Sequence, residues 1–132
     1  TINSLSDEGY WIHLLTARPK DDLLCFYDTY TWLKNAGLNY DRLDFSGEKY
    51  RWCAKSEYFN SKSIVCAIDD SPKHAAEYAK HGIDVCVPSK SYNLEVHDMK
   101  KVHVFNNSKQ LLEKIKNFCY NLILQRKKNA TK

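Results

Sequence analysis

Segments with the pattern of β-strands alternate with helical segments along most of this 132-residue chain. Strands that alternate with helices of about 10 to 15 residues are typical of βαβ units, whose strands pair in parallel. We therefore expect a single α/β domain over residues 1–132, with a mostly parallel sheet. The predicted strands are Tyr10–Thr16, Tyr40–Phe45, Ser63–Ile68, Ile83–Val87 and Val102–Phe105. Three predicted helices are Ile2–Gly9, Glu48–Phe59 and Pro72–His81. Another is capped by Asp21 or Asp22 and ends at Gly37, and the last is capped by Ser108.

The third predicted strand is an apolar run that leads directly into two adjacent carboxylates and a Ser-Pro turn. Because no polar residue alternates within Ser63–Ile68, the run predicts a strand buried on both faces. Asp69 and Asp70 then lie at its carboxyl end, where open α/β sheets bind ligands. Adjacent carboxylates repel each other unless a cation neutralises them, and oxygen ligands suit Mg²⁺. The alternative is that Asp70 or Ser71 only caps the next helix.

Composition and charge exclude few classes of protein. The chain is 43% hydrophobic and 27% charged, with a formal net charge of +4, which is compatible with a weak attraction to anionic substrates. We expect no membrane span, because no apolar run approaches the roughly 18 residues that one needs. Five widely spaced cysteines and no visible signal peptide predict reduced thiols and a cytoplasmic location. Because the chain begins with Thr1 instead of Met, we expect a processed or truncated product.

Other polar residues follow or precede the predicted strands. Thr16 ends the first strand, and its hydroxyl with the guanidinium of Arg18 could bind a phosphate oxygen; alternatively, Thr16 only hydrogen-bonds to the backbone. A lysine in the helix before the paired aspartates could neutralise both a phosphate and a carboxylate. Lys55 is the better placed of the two candidates and Lys49 is the alternate. Residues 88–101 form the longest irregular stretch, for which we expect a surface loop over the site.

In this order and spacing, the motifs resemble the haloacid dehalogenase-like (HAD) phosphohydrolase superfamily. The strand WIHLLTARP resembles its second motif, Lys55 in CAKSEYF its third, and IVCAIDDSP its fourth. Within the superfamily, the TAR sequence followed by a long helix most resembles the phosphatase domains of polynucleotide kinase-phosphatases and small nucleotidases. The resemblance runs from Thr1 to about Val87 and implies a Rossmann-like three-layer sandwich.

The resemblance also implies a Mg²⁺-dependent phosphatase acting on a nucleotide or on a nucleic-acid terminal phosphate. In such an enzyme an aspartate attacks the phosphoryl group, and water cleaves the aspartyl-phosphate. By resemblance, the catalytic residues are Thr16 and Lys55, the substrate-binding residues are Thr16, Ala17, Arg18 and Lys49, and the Mg²⁺ ligands are Asp69 and Asp70.

The superfamily's first motif, D-x-D-x-T/V at the end of the first strand, does not occur in this sequence. That motif supplies the nucleophile, so its strand has been lost or is supplied by a partner chain, or the domain is a non-catalytic relative. The non-catalytic alternative is a binding or interaction module. A response-regulator-like receiver domain ranks third, because its acidic pair follows the first strand, whereas here the acids come late.

Overall fold

The computed structural model describes residues 1–19, 21–55 and 64–130, the side chain of residue 126 apart. Its contacts divide the chain into two compact units, Thr1–Trp52 and Cys53–Lys132. Helices and short parallel strands occur in both units, which confirms a mixed α/β class. Within the described ranges, no helix is long and apolar enough to cross a membrane.

The first unit pairs two short strands in parallel. His13 lies opposite Arg42, and Thr16 lies opposite Phe45. Both strands begin later than predicted, because the carboxylate of Asp41 accepts the backbone N–H of Ile12 at 2.7 Å and the regular ladder starts only after this contact. The elements are helix α1 (Ile2–Asp7), strand β1 (His13–Thr16), helix α2 (Leu23–Ala36), strand β2 (Arg42–Phe45) and the start of helix α3 (Lys49–Lys55).

Helix α2 begins and ends where its capping residues predicted. Asp22 is the N-cap, and its carboxylate accepts the N–H of Cys25 at 3.2 Å. Gly37 ends the helix in the left-handed conformation, with φ of +66°, which a residue without Cβ adopts without strain. The buried side of the helix includes Leu33, which is 4% exposed.

A half-buried charge cluster links β1 to β2 in the first unit. The Nε2 of His13 lies 2.8 Å from Oδ2 of Asp44, and the guanidinium of Arg42 donates to both carboxylate oxygens. The ring of Trp52 lies 5.0 Å from that of His13. Burial lowers the pKa of His13 despite the neighbouring carboxylate. Burial alone would raise the pKa of Asp44, but the hydrogen bonds from Arg42 and His13 hold it below its ordinary value.

We expect this cluster to lose stability on acidification. Because the pKa of His13 is lower in the folded protein than its ordinary 6.5, the unfolded chain takes up the proton first as the pH falls below that value. The free energy of unfolding should therefore decrease between about pH 7.5 and about pH 5.5, more for the wild type than for His13→Gln. Urea denaturation at both pH values measures the free energy of unfolding. An equal decrease in the wild type and in His13→Gln contradicts the role given to His13.

The second unit contains a three-stranded parallel sheet. Strand β4 (Val85–Pro88) lies between β3 (Ala67–Ile68) and β5 (Val102–Phe105). Helix α4 (Pro72–Lys80) packs on the sheet through buried Ala75, Tyr78 and Ala79. A 3₁₀ segment (Ser91–Val96) follows β4, and helix α5 (Ser108–Ala130) follows β5.

The prediction of a doubly buried strand at 63–68 was wrong. Of residues 64–68, which the structure describes, only Ala67 and Ile68 form strand, and Ile68 is 40% exposed. Ser63 lies outside the described ranges. The doubly buried strand is β4, whose residues Val85–Val87 are 0% exposed. The physical reason is position: β4 has a neighbour on each side, whereas β3 lies at the edge of this three-stranded sheet.

Two thiols meet beside this edge strand. A hydrogen bond with Cys86 on β4, together with burial, raises the pKa of Cys66 above its ordinary value. Cys66 therefore stays a neutral thiol at neutral pH. All five cysteines lie in the described part of the chain, and none of them forms a disulfide there.

Candidate functional site

Thr16 is the last residue of β1, and Ala17 and Arg18 follow it in the loop that leads to α2. The hydroxyl oxygen of Thr16 accepts the backbone N–H of Arg18 at 3.3 Å, which is the local backbone contact expected from the non-functional interpretation. One guanidinium nitrogen of Arg18 donates to the hydroxyl of Thr29 on α2 at 3.1 Å. Because Arg18 remains exposed and has five N–H donors, this contact leaves donors for an anion.

Asp69 and Asp70 follow β3 directly and lie in different environments. Asp69 is 7% exposed, and its Oδ1 accepts the backbone N–H of Ser71 at 2.9 Å. Its own backbone N–H donates to the carbonyl of Cys86 on β4 at 3.2 Å, so the backbone of Asp69 still belongs to the sheet edge. Asp70 is exposed. One carboxylate is therefore held inside the fold, and its neighbour faces solvent.

The question of the helix cap has a definite answer in the structure. Ser71 is the N-cap of α4, and its hydroxyl oxygen accepts the N–H of His74 at 3.5 Å while Pro72 occupies the first helical position. Asp70 is therefore not needed as a cap. Its carboxylate lies before the helix and is available for another role.

Two residues of the 3₁₀ segment contact Asp70. The hydroxyl of Tyr92 donates to Oδ2 of Asp70 at 2.6 Å, and this hydrogen bond raises the pKa of Tyr92. The amide nitrogen of Asn93 donates at 3.0 Å both to the carbonyl of Asp70 and to that of Pro88. The stretch 88–101, predicted to lie over the site, thus does contact Asp70.

Asn93 fixes this arrangement from inside the protein. Its side chain is 0% exposed, and its Oδ1 accepts the backbone N–H of Lys90 at 3.3 Å. The Nε2 of His97 lies 2.7 Å from the same oxygen. All polar atoms of the Asn93 side chain are therefore paired, which holds the 3₁₀ segment against the ends of β3 and β4.

The two candidate lysines lie at opposite ends of α3. Lys49 begins the helix and is half-buried, whereas Lys55 ends it and is exposed. None of the described hydrogen bonds or ion pairs joins Lys55 to Asp69 or Asp70. Thr16, Ala17, Arg18 and Lys49 belong to the first unit, and Lys55 belongs to the second with both aspartates.

The side chains of Asp69 and Asp70 offer carboxylate oxygens, the ligand type that Mg²⁺ takes in proteins. Across the described ranges, no three His, Cys, Asp or Glu side chains are grouped to hold a metal ion. Mg²⁺ is commonly bound through one or two carboxylates, with water and substrate phosphate completing the shell.

Sequence reasoning missed Tyr92 and Asn93 as residues of this site. They lie 22 and 23 positions from Asp70, and no spacing rule links an irregular segment to a strand end across that separation. The available signal was weaker: a Tyr-Asn pair inside the irregular stretch after a predicted strand, where loops of α/β proteins reach the binding edge.

Comparisons with known proteins give no family assignment. No family model, curated protein or solved structure matches this chain. A function must therefore be argued from the strand-end residues themselves.

Proposed function

We propose that this chain carries the metal-binding and phosphate-binding parts of a HAD-like phosphohydrolase that acts on a nucleotide or on a nucleic-acid terminal phosphate. One observation carries the proposal. A buried carboxylate, Asp69, and an exposed one, Asp70, follow a parallel strand while Ser71 alone supplies the helix cap. Two adjacent carboxylates repel each other, and a bound cation would relieve that repulsion.

The parallel pairings in both units support the proposal at the level of fold class. The finer architecture is part of the proposal: a single Rossmann-like, three-layer HAD domain over residues 1–132. In that architecture the ligand-binding edge is the one at which parallel strands end. Thr16 and Asp69 each lie at the carboxyl end of a parallel strand in its own unit.

In the proposed site, Asp69 and Asp70 would hold Mg²⁺, which when bound would neutralise negative charge on the phosphoryl group. Asp69 is held in place by the Ser71 N–H, so its orientation costs little on binding. Asp70 offers its carboxylate to solvent, where an incoming ion can reach it.

The phosphate contacts are proposed on the first unit and on α3. The Thr16 hydroxyl, the Ala17 backbone and the Arg18 guanidinium bind the phosphate oxygens, and Lys49 is an additional cation. Lys55 stabilises the charge that develops on the phosphoryl group. Arg18 in the first unit and Lys55 in the second are both exposed, so the side chain of each is accessible in its own unit.

The nucleophilic aspartate of the proposed reaction lies outside these 132 residues, on another segment or a partner chain that supplies a strand. The edge strand β3 suits such an addition. The backbone N–H of Ala67 donates to the carbonyl of Asp84, which precedes β4, and that of Asp69 donates to Cys86 on β4. The N–H of Ile68 between them therefore faces the opposite edge. An added strand could pair there through main-chain hydrogen bonds.

Phosphate release by the full-length gene product tests the proposal. Nucleoside monophosphates and oligonucleotides phosphorylated at one end serve as substrates, with Mg²⁺ and with excess EDTA. We expect turnover that requires Mg²⁺, and a beryllium fluoride adduct on an aspartate outside these residues. Binding of Mg²⁺ or phosphate without turnover or adduct contradicts the proposal and favours the non-catalytic binding module.

A further inference from the structure

We propose that the second half of helix α5 is a docking surface for an acidic amphipathic helix of a partner protein. This surface, the α5 stripe, consists of Tyr120, Ile123 and Leu124 together with Lys116 and Lys127 on the same side of the helix. None of these residues belongs to the proposed phosphohydrolase site, so the docking surface does not depend on that function.

Helix α5 is packed in its first half and accessible in its second half. Leu111 and Ile115 are 6% and 2% exposed, and the ring of Phe118 lies 4.7 Å from that of His103 on β5. Among the side chains that the structure describes after Phe118, none is buried. The first half therefore holds the helix against the sheet, whereas the second half leaves its apolar residues open to contact.

The exposed half of α5 carries a continuous apolar strip. Tyr120, Ile123 and Leu124 are 61%, 48% and 38% exposed. Their i, i+3, i+4 spacing places them on one side of the helix, and Lys116 and Lys127 extend that side by about one turn in each direction. Apolar side chains that form one contiguous strip mark interaction surfaces, whereas single exposed ones need no explanation. The same spacing supplies the anchors when one helix docks against another.

The positive charge of the chain is concentrated on this helix and its end. Of the chain's 20 basic residues, 13 precede α5, and so do 15 of its 16 acidic residues. The formal net charge of +4 therefore arises from residues 108–132, in which Glu113 is the only acid. A surface with an apolar centre and basic surroundings is complementary to a helix with an apolar face and acidic flanks.

The charges also argue against other occupants of the α5 stripe. A second copy of this chain would bring like charges together in a parallel or an antiparallel pair, because no carboxylate side chain follows Glu113. A nucleic-acid backbone matches the charge but offers no apolar partner for Ile123 and Leu124. A membrane surface binds an interfacial helix in proportion to the apolar area inserted, and three partly exposed side chains offer a small area. An acidic amphipathic helix matches both the charge and the apolar strip.

Binding of a fluorescein-labelled synthetic peptide to the full-length protein tests the docking surface, with fluorescence anisotropy as the measurement. The peptide is helical, with leucines along one face and glutamates on both flanks, and a second peptide has the same composition in scrambled order. We expect the first peptide to bind and the scrambled peptide to bind about tenfold more weakly, because it presents no apolar face. Failure of the first peptide to bind, or equal binding of the two, overturns the inference.

A pair of apolar variants locates the binding on the α5 stripe. Ile123→Gln should weaken binding of the acidic peptide about fivefold, because it removes apolar area from the centre of the strip. Leu94→Gln is the matched control, because Leu94 is 61% exposed and lies outside α5. This control should bind as the wild type does. Equal affinity in folded Ile123→Gln and wild type, with folding checked by circular dichroism, overturns the inference.

A pair of charge variants separates a local contact from a general attraction. Lys127→Glu should weaken binding about threefold, whereas Lys109→Glu makes the same change of charge at the start of α5 and should not. About 27 Å of helix separates the two positions, well beyond the screening length of about 8 Å at about 0.15 M ionic strength. Equal losses in both variants overturn the location. Tighter binding of the wild type to phosphatidylserine vesicles or to a single-stranded oligonucleotide than to the acidic peptide overturns the choice of partner.

Discussion

Replacing Asp69 with asparagine is expected to reduce Mg²⁺-dependent phosphate release by the full-length gene product on the order of a hundredfold or more. The substitution keeps the shape of the side chain, and its amide oxygen can still accept the N–H of Ser71. It removes the negative charge that the proposed Mg²⁺ requires. The loss should therefore appear in turnover and in Mg²⁺ dependence, measured by phosphate release over a range of Mg²⁺ concentrations.

The control for this variant is Asp98→Asn, which makes the same change of charge on an exposed aspartate of the same unit. Its turnover should equal that of the wild type. Circular dichroism confirms that Asp69→Asn is folded before its activity is compared. Full turnover in a folded Asp69→Asn protein would rule out this carboxylate as a metal ligand.

Replacing Asn93 with alanine is expected to cause the largest loss of stability, about 3 kcal/mol in the free energy of unfolding. The side chain is 0% exposed and bonds to the carbonyls of Asp70 and Pro88 and to the N–H of Lys90. Alanine leaves these backbone groups without their partner, and the missing volume adds a cavity. Urea denaturation of the wild type and variant measures the difference.

Asn121→Ala provides the comparison for this stability change. Asn121 is exposed in α5, and an exposed substitution of this kind changes stability by less than about 0.5 kcal/mol. A loss in Asn93→Ala no larger than in Asn121→Ala would mean that the buried amide does not hold the 3₁₀ segment. The same comparison tests whether Asn93 holds the backbone next to Tyr92, because the Asn93 amide donates to the carbonyl of Asp70.

The ends of α2 and the start of α4 could be predicted from the sequence, because a few adjacent residues determine them. The predicted cap of α5 was wrong: Ser108 is the first residue of that helix, and the side chain of Asn107 accepts the N–H of Gln110 at 2.9 Å. The side chain of Asp22 accepts a backbone N–H three residues later, and Gly37 adopts a positive φ without strain because it has no Cβ. The Ser71-Pro72 start of α4 is equally local. Each of these features depends on interactions within one helical turn, so the pattern in the chain is sufficient.

Strand burial could not be predicted in the same way. The apolar run that ends at Ile68 has the composition of a central strand, yet within the described sheet β3 lies at the edge and β4 at the centre. The composition of a strand indicates which of its residues can be buried. Whether they are buried depends on where the strand lies in the sheet and on what covers it. That pairing joins residues far apart in the chain.

The same difference between local and long-range interactions applies to the candidate site. The sequence by itself determined that Thr16 and the Asp69-Asp70 pair follow strands, and the helix cap at Ser71 is local enough to be predicted as one of two options. Only the tertiary structure decided that Asp69 is buried, that Ser71 is the cap, and that Tyr92 and Asn93 hold Asp70. The physical reason is that caps and strand ends depend on neighbours in the chain, whereas the surroundings of a carboxylate depend on packing between distant segments.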